Sequence, residues 1–297
     1  MKINVIGVFL WIGLFISSPY LCMTSSDGIN KLRENILLEY RALHPGEIIE
    51  VNVKEIPGIK SALVLFRDKH YPLIQLIENK EFIGFLGIDM EAESGIYPLW
   101  IDISFRDGSN KRIFKEIFIK PKRFPSRRLW VDEKYVTPPP ETHFRIKKEA
   151  ALLRDIFSEV SQQWFGQGAF IIPSSGKVIL NFGEKRILNG KPCSSHSGID
   201  IQAKSGTPVH ASNSGKTVLA QDLYFCGKTV ILDHGMGVFS YYCHLLKLKV
   251  VKGNIVNKGD YIGQVGATGR VTGPHLHWAV KIRGDRVDPL SLLYFDL

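Results

Sequence analysis

Between Tyr97 and Arg106 the chain alternates strictly, with Tyr97, Leu99, Ile101, Ile103 and Phe105 set against Pro98, Trp100, Asp102, Ser104 and Arg106. A strand with one buried face requires that period of two. Shorter runs of the same texture fall at Glu47–Val53, Ser61–Phe66, Tyr71–Ile77, Phe82–Ile88 and Arg112–Lys120. Turn signals at Pro57-Gly58, Glu78-Asn79, Ser94-Gly95 and Asp107-Gly108 separate them. The spacing predicts about six or seven short strands, a β-sandwich-like accessory domain of immunoglobulin-like type over residues 25–136. It holds no catalytic constellation, since His44 and His70 stand alone.

The pattern then changes period. Thr137-Pro138-Pro139-Pro140 is a stiff linker that cannot continue a strand. After it, Ile146, Ala150, Leu153, Ile156, Phe157, Val160 and Trp164 recur in steps of three and four. That predicts an amphipathic helix from Phe144 to Trp164, expected to pack between two domains. A Pro-rich linker and helix thus occupy 137–167, and a second domain occupies 168–297. In that domain strands are short and glycines frequent. Lys228–Leu232 and Val238–Tyr242 flank His234-Gly235-Met236-Gly237 as a hairpin, and His275–Ile282 reads as a further strand. The whole chain is therefore expected to be all-β, with a length of 297 residues that suits two domains of ~150 each.

The first residues form a separate segment. Lys2 is followed by an uncharged stretch to Ser26 with an apolar centre from Val5 to Ile16. Residues 1–24 read as a cleaved signal peptide or a retained N-terminal membrane anchor, so the protein is expected to be exported. Cys22 lacks the small preceding residue that lipid attachment uses, because Leu21 stands there. The formal net charge of +9 is compatible with nucleic acid, an anionic membrane or an acidic polymer, and export argues against nucleic acid. The excess is localised: residues 168–297 carry 15 Lys plus Arg against 8 Asp plus Glu. With the leader removed, Cys193, Cys226 and Cys243 remain, either as small buried side chains or as one disulfide plus a thiol.

Six of the nine histidines lie between His196 and His277, which concentrates the chemistry in the last third. In an extended His196-Ser-Gly-Ile-Asp200, residues 196, 198 and 200 share a face, and Gly198 leaves space for a metal. His275-Leu-His277 again sets two imidazoles on one side of a strand, and His244 ends the Val238–Tyr242 strand. His, Asp and His suit zinc, and three protein ligands leave a fourth position for water. Two further imidazoles can transfer protons and stabilise an oxyanion. Spacing alone does not divide the five into ligands and catalysts. His210 reads as a surface residue and His234 as part of the hairpin. Tyr224 lies in a loop that either borders the groove or is simply exposed.

His196-Ser-Gly-Ile-Asp200, Tyr242-Cys-His244-Leu245 and Gly273-Pro-His275-Leu-His277-Trp278 resemble the lysostaphin/LytM-type zinc metallopeptidases that cut peptidoglycan. Gly206-Thr-Pro-Val209, Gly215-Lys-Thr-Val218, Val230-Ile-Leu-Asp-His-Gly235, Gly266-Ala-Thr-Gly269 and Val287-Asp-Pro289 look like that family's framework. The resemblance covers about 130 residues and implies a compact antiparallel β domain with an open groove. It implies His196, Asp200 and His277 as ligands of one Zn2+, and His244 and His275 as non-ligand catalytic histidines. The implied substrate is the peptide stems of peptidoglycan, and a two-domain exported relative suggests the periplasm or cell envelope of a diderm bacterium and D-alanyl–diaminopimelate cross-links. The alternatives are a catalytically inactive LytM-type regulator that activates other wall hydrolases, and a wall-binding module led by the N-terminal domain. All five positions are filled by competent residues, which argues against the inactive regulator. The N-terminal domain is expected to cover or position the groove, with 141–167 as a hinge.

Overall fold

The computed structural model describes residues 32–54, 56–76 and 80–296. The expected leader or anchor and the Glu78-Asn79 turn lie outside the described residues. No helix among the described residues is long and apolar enough to cross a membrane.

Eight strands precede the helix: β1 (Ile36–Glu39), β2 (Ile48–Val53), β3 (Ile59–Phe66), β4 (Lys69–Gln75), β5 (Phe82–Gly87), β6 (Gly95–Phe105), β7 (Asn110–Ile119) and β8 (Ser126–Leu129). The first seven join in one antiparallel order, β1-β2-β5-β4-β3-β6-β7. β4 pairs with β3 along most of its length and reaches β5 only at Ile74 and Gln75, so it links two sets of strands. The alternation seen in the sequence is realised in β6, where Leu99, Ile101 and Ile103 are fully buried.

β8 does something the sequence did not announce. It leaves the first sheet and pairs in parallel with β10 (Lys185–Leu188), beside β11 (Lys191–Ser195). Sheet membership therefore changes near residues 120–125, ahead of the proline run that marked the expected boundary at 136. The helix α1 runs from His143 to Ser158. It stops short of Trp164 because Glu159 is already extended, and Trp164 instead bridges to Gly235.

The remaining elements are β9 (Lys177–Ile179), β12 (Gly198–Gln202), β13 (Pro208–His210), β14 (Gly215–Leu223), β15 (Gly227–Gly235), β16 (Val238–Leu248), β17 (Ile255–Val256), β18 (Tyr261–Val265), β19 (Leu276–Ile282), β20 (Asp285–Val287) and the short α2 (Pro289–Leu292). Their sheet runs β17-β14-β15-β16-β19-β12-β9, with β13, β18 and β20 attached to it. Alternation gives β16 and β19 two apolar faces. Tyr242, Leu276, Trp278 and Val280 join the main core. Phe239, Tyr241, Cys243 and Ala279 form a second cluster that Phe157, Leu153 and Ile156 of α1 cover. The helix thus packs on one face of this sheet, not between the two domains. Its length covers only part of that face. His277 lies on the same face two residues from Ala279, and there the sheet is left open for chemistry.

The two regions share one contiguous core. Phe85 packs on Phe295 and Trp164 at 5.4 and 5.7 Å between ring centroids. Ion pairs from the segment after β19 reinforce the junction: Asp285 to Lys69 at 2.7 Å, Arg286 to Asp89 at 2.7 Å, and Asp288 to Arg41 at 2.9 Å.

Candidate active site

The site is assembled by pairing across strands. Asp200 on β12 stands directly opposite His277 on β19, so both side chains leave the sheet on one face. His196 sits just before β12, where its backbone exchanges hydrogen bonds with Gly183 and Glu184. The close approach of β12 to β19 depends on Gly198. A Cβ there would meet the Trp278 carbonyl oxygen at 2.4 Å and the Ala279 Cβ at 2.8 Å. Gly198 is thus small to admit the neighbouring strand, not to leave room for a metal.

Three ligand atoms converge. His196 Nε2 lies 2.7 Å from His277 Nδ1, and Asp200 Oδ1 lies 3.1 and 3.2 Å from those two nitrogens. His196 donates its Nδ1–H to the Asn181 carbonyl at 2.9 Å, because a carbonyl can only accept. Its Nε2 therefore offers a lone pair. Burial pushes the His277 imidazole down to about 4, so it is neutral at pH 7. Burial opposes ionisation of Asp200, but the close imidazoles of His196 and His277 more than offset it and hold the carboxyl well below the usual carboxylate range. Acceptor atoms this close hold together only around a proton or a cation. Bonds of ~2.0–2.1 Å in a tetrahedral site would set ligand atoms about 3.3 Å apart, near the observed spacing. The donor set of two imidazoles and one carboxylate fits a borderline-soft divalent metal.

Residues that carried no signal in the sequence hold this set in place. Asn181 gives its amide to Asp200 Oδ2 at 2.7 Å, accepts from the Asp200 backbone N–H at 3.1 Å, and supplies the carbonyl that fixes His196. Arg186 adds a second donor to Asp200 Oδ2 at 3.0 Å. The other two histidines are pinned similarly. His244 donates Nδ1–H to the Thr268 carbonyl and His275 to the Gly273 carbonyl, each at 2.8 Å. Both acceptors fall in glycine-rich segments visible in the sequence. Their rings stand 5.0 Å apart, and His244 lies 6.0 Å from His277.

Simple alternation would send His244 to the opposite face from Cys243. Instead the pairing with β15 slips between Val230–Tyr242 and Lys228–Leu245, and His244 takes a φ of 63°. A β-bulge re-aims the side chain in this way, and a non-glycine residue in left-handed backbone costs of order 1–3 kcal/mol. Burial, then the charges of His275 and His277, hold His244 well below its ordinary value, so it stays neutral.

The other candidates have structural partners. His210 binds the Gly259 carbonyl, and buried His234 lies between the Ser214 carbonyl and the Ser240 hydroxyl. Cys193, Cys226 and Cys243 are free thiols, with no disulfide among the described residues. Cys226 accepts from the Tyr241 hydroxyl and Cys193 from Arg270. The Tyr224 hydroxyl donates to the Lys134 carbonyl and its ring meets Tyr135.

Residues 194–289 match peptidase family M23. This stretch is an M23 domain. It contains all five convergent residues, while Asn181 and Arg186 lie just ahead of it. The chain is 37% identical over 121 residues to the peptidoglycan DD-endopeptidase ShyA of Vibrio cholerae, covering 40% of this chain and 28% of that protein. It is 43% identical over 97 residues to the DD-carboxypeptidase/endopeptidase Mpg of Neisseria meningitidis, covering 33% and 22%. The chain thus spans about a quarter of the length of these curated relatives. A crystal structure from Pseudomonas aeruginosa assigned to peptidase M23 superposes with a TM-score of 0.65 at 28% identity, covering 85% of this chain and 96% of that one. That likeness reaches well beyond the M23 domain into the N-terminal strands.

Proposed function

We propose that this protein is an exported zinc-dependent endopeptidase that hydrolyses peptide cross-links in bacterial peptidoglycan, at D-alanyl–diaminopimelate bonds. The observation that carries the reading is the convergence of His196, Asp200 and His277 beside the pinned pair His244 and His275. His196, Asp200 and His277 are the proposed ligands of one Zn2+, which when bound polarises the scissile carbonyl and acidifies the attacking water. The M23 relatives named as DD-endopeptidases support the choice of bond.

His244 and His275 supply the proton chemistry. Each gives its Nδ1–H to a backbone carbonyl, so each neutral ring presents an Nε2 lone pair. One takes the proton of the attacking water. That proton then passes to the leaving amine, and the other ring, once it carries a proton on Nε2, donates a hydrogen bond to the developing oxyanion. The net charge of the catalytic domain suits attraction to an anionic wall polymer.

The test combines metal analysis with digestion of purified sacculi. One zinc per chain and release of peptides containing new diaminopimelate amines is the expected result. A metal-loaded sample that binds sacculi but releases no peptides would overturn the enzyme reading in favour of a regulator.

A further inference from the structure

The parallel pairing of β8 with β10 has a chemical consequence. Its register sets Arg127 directly beside Arg186, and Leu129 beside Leu188. All four line a cavity of about 380 Å³ that also reaches Asp200, His275 and Arg270. Two arginines side by side on one face of a ladder repel each other unless an anion lies between them. Apart from Asp200, which Asn181 and Arg186 already bind, the cavity lining holds no acidic side chain. Arg127 has only a long pair, 3.8 Å to Glu184. The Nε of Arg186 is buried and finds no hydrogen-bond partner among the described residues. The Arg270 guanidinium lies over the Phe225 ring, 4.9 Å from its centroid, with one N–H on Cys193, which leaves most of its donors uncommitted.

We infer that Arg127, Arg186 and Arg270 form a carboxylate-binding subsite that selects substrates bearing a free carboxylate next to the scissile amide. This rests on the proposed endopeptidase reading and deepens it. In a D-alanyl–diaminopimelate bond, the carbon attached to the scissile nitrogen carries a carboxylate. A glycine bridge carries none. Asp200 and His275 line the same cavity as the three arginines, so a carboxylate one carbon from a scissile nitrogen held at those residues would be within their reach. Guanidinium donors bind a carboxylate with directional, charge-assisted bonds that an amide cannot replace. Arg127 comes from the segment before α1, outside the M23 domain. The N-terminal half would therefore complete the specificity pocket and not merely cover it.

Cross-linked muropeptide dimers with the diaminopimelate carboxylate free or amidated provide the test, using the zinc-loaded full chain. The wild type should cleave the free acid with kcat/KM at least ~10-fold above the amide. Arg127→Gln, which keeps the β8 backbone pairing, should lower the free-acid value by ~10-fold and leave the amide within about twofold. Arg127→Lys should restore part of the preference. Equal cleavage of both dimers by the wild type would overturn the subsite and leave the endopeptidase reading standing. A uniform loss in Arg127→Gln on both dimers would also overturn it. Calorimetric titration with a stem tripeptide ending in diaminopimelate, free or amidated, separates the two claims. Preferential binding of the free acid that Arg127→Gln abolishes, with neither dimer cleaved, would sink the endopeptidase reading and keep the subsite.

Discussion

Asp285 and Asp200 are both mostly buried aspartates of the same sheet, and their surroundings differ in one respect. Asp285 is met by donors: Lys69 Nζ at 2.7 Å and the Tyr71 hydroxyl at 3.1 Å, both from the N-terminal region. Asp200 is met by donors on one oxygen only. Its Oδ1 faces His196 Nε2, His277 Nδ1 and, at 3.5 Å, His275 Nε2. The first carboxylate is satisfied and fastens the N-terminal strands to the strand after β19. The second is one of several acceptors aimed at a common point, which a cation would satisfy. Burial alone does not mark a functional carboxylate. The balance of donors and acceptors around it does.

The sharpest way to break this comparison is to neutralise each carboxylate in turn. Asp200→Asn or His277→Ala should take the metal content from one zinc per chain to none and abolish hydrolysis, measured by elemental analysis and sacculus digestion. Asp285→Asn should keep one zinc and lose only stability, because its partners lie at the domain junction. Zinc retained in Asp200→Asn would remove it from the ligand set. A smaller effect is expected one step out. His275→Ala should keep its zinc and lose ~10²–10³ in kcat, since it removes a group that acts on the reacting atoms. Loss of zinc in this variant as well would mean that ligands and catalysts have been wrongly divided. Smaller again is Asn181→Ala, which removes the amide holding Asp200 Oδ2 while leaving every ligand present. Competition with a zinc chelator should show affinity weakened ~10–100-fold. No change would reduce Asn181 to a packing residue.

These sites were not equally legible. Period-two alternation marked β6, β2 and β5 because each buries at least one regular face. β1 and β8 escaped because each has only four residues and β8 is largely exposed. His196, Asp200, His244, His275 and His277 stood out by residue type and spacing. Asn181 and Arg186 act from a neighbouring loop and strand, and nothing in Asn181-Phe-Gly or Lys185-Arg-Ile distinguishes them from ordinary turn and strand residues. The bulge that turns His244 into the site was likewise invisible, because a strand pattern records alternation and not where it slips. The helix was legible as a helix, but its partner was not. An apolar stripe says that something is covered without saying which sheet.

The two regions also part in how their buried titratable groups respond to pH. On β2, Glu50 stands opposite Glu39 of β1. Burial, with the charges of Glu39 and Glu81 added, pushes its carboxyl up to about 7. In the C-terminal domain, burial pushes His234 down to about 4. The signs are opposite. Glu50 contributes stability that is fully present below its unfolded value near 4.5 and is lost as pH rises through 7. His234 contributes stability present above its unfolded value near 6.5 and lost as pH falls through 4. Between pH 4.5 and 7 Glu50 therefore opposes His234, and the buried His277 and His244 slope the same way as His234. Glu50→Gln should remove the Glu50 slope. At pH 8 it should stabilise the protein by about 1–2 kcal/mol, since it removes a buried charge facing a like charge. At pH 4.5, where Glu50 is already neutral, the gain should vanish, leaving the acid-side loss from His234 exposed. Denaturant unfolding of both proteins across this range measures the difference directly. A gain of the same size at both pH values would show that the Glu50 carboxyl titrates alike in the folded and unfolded chain, and that the substitution acts through something other than its charge.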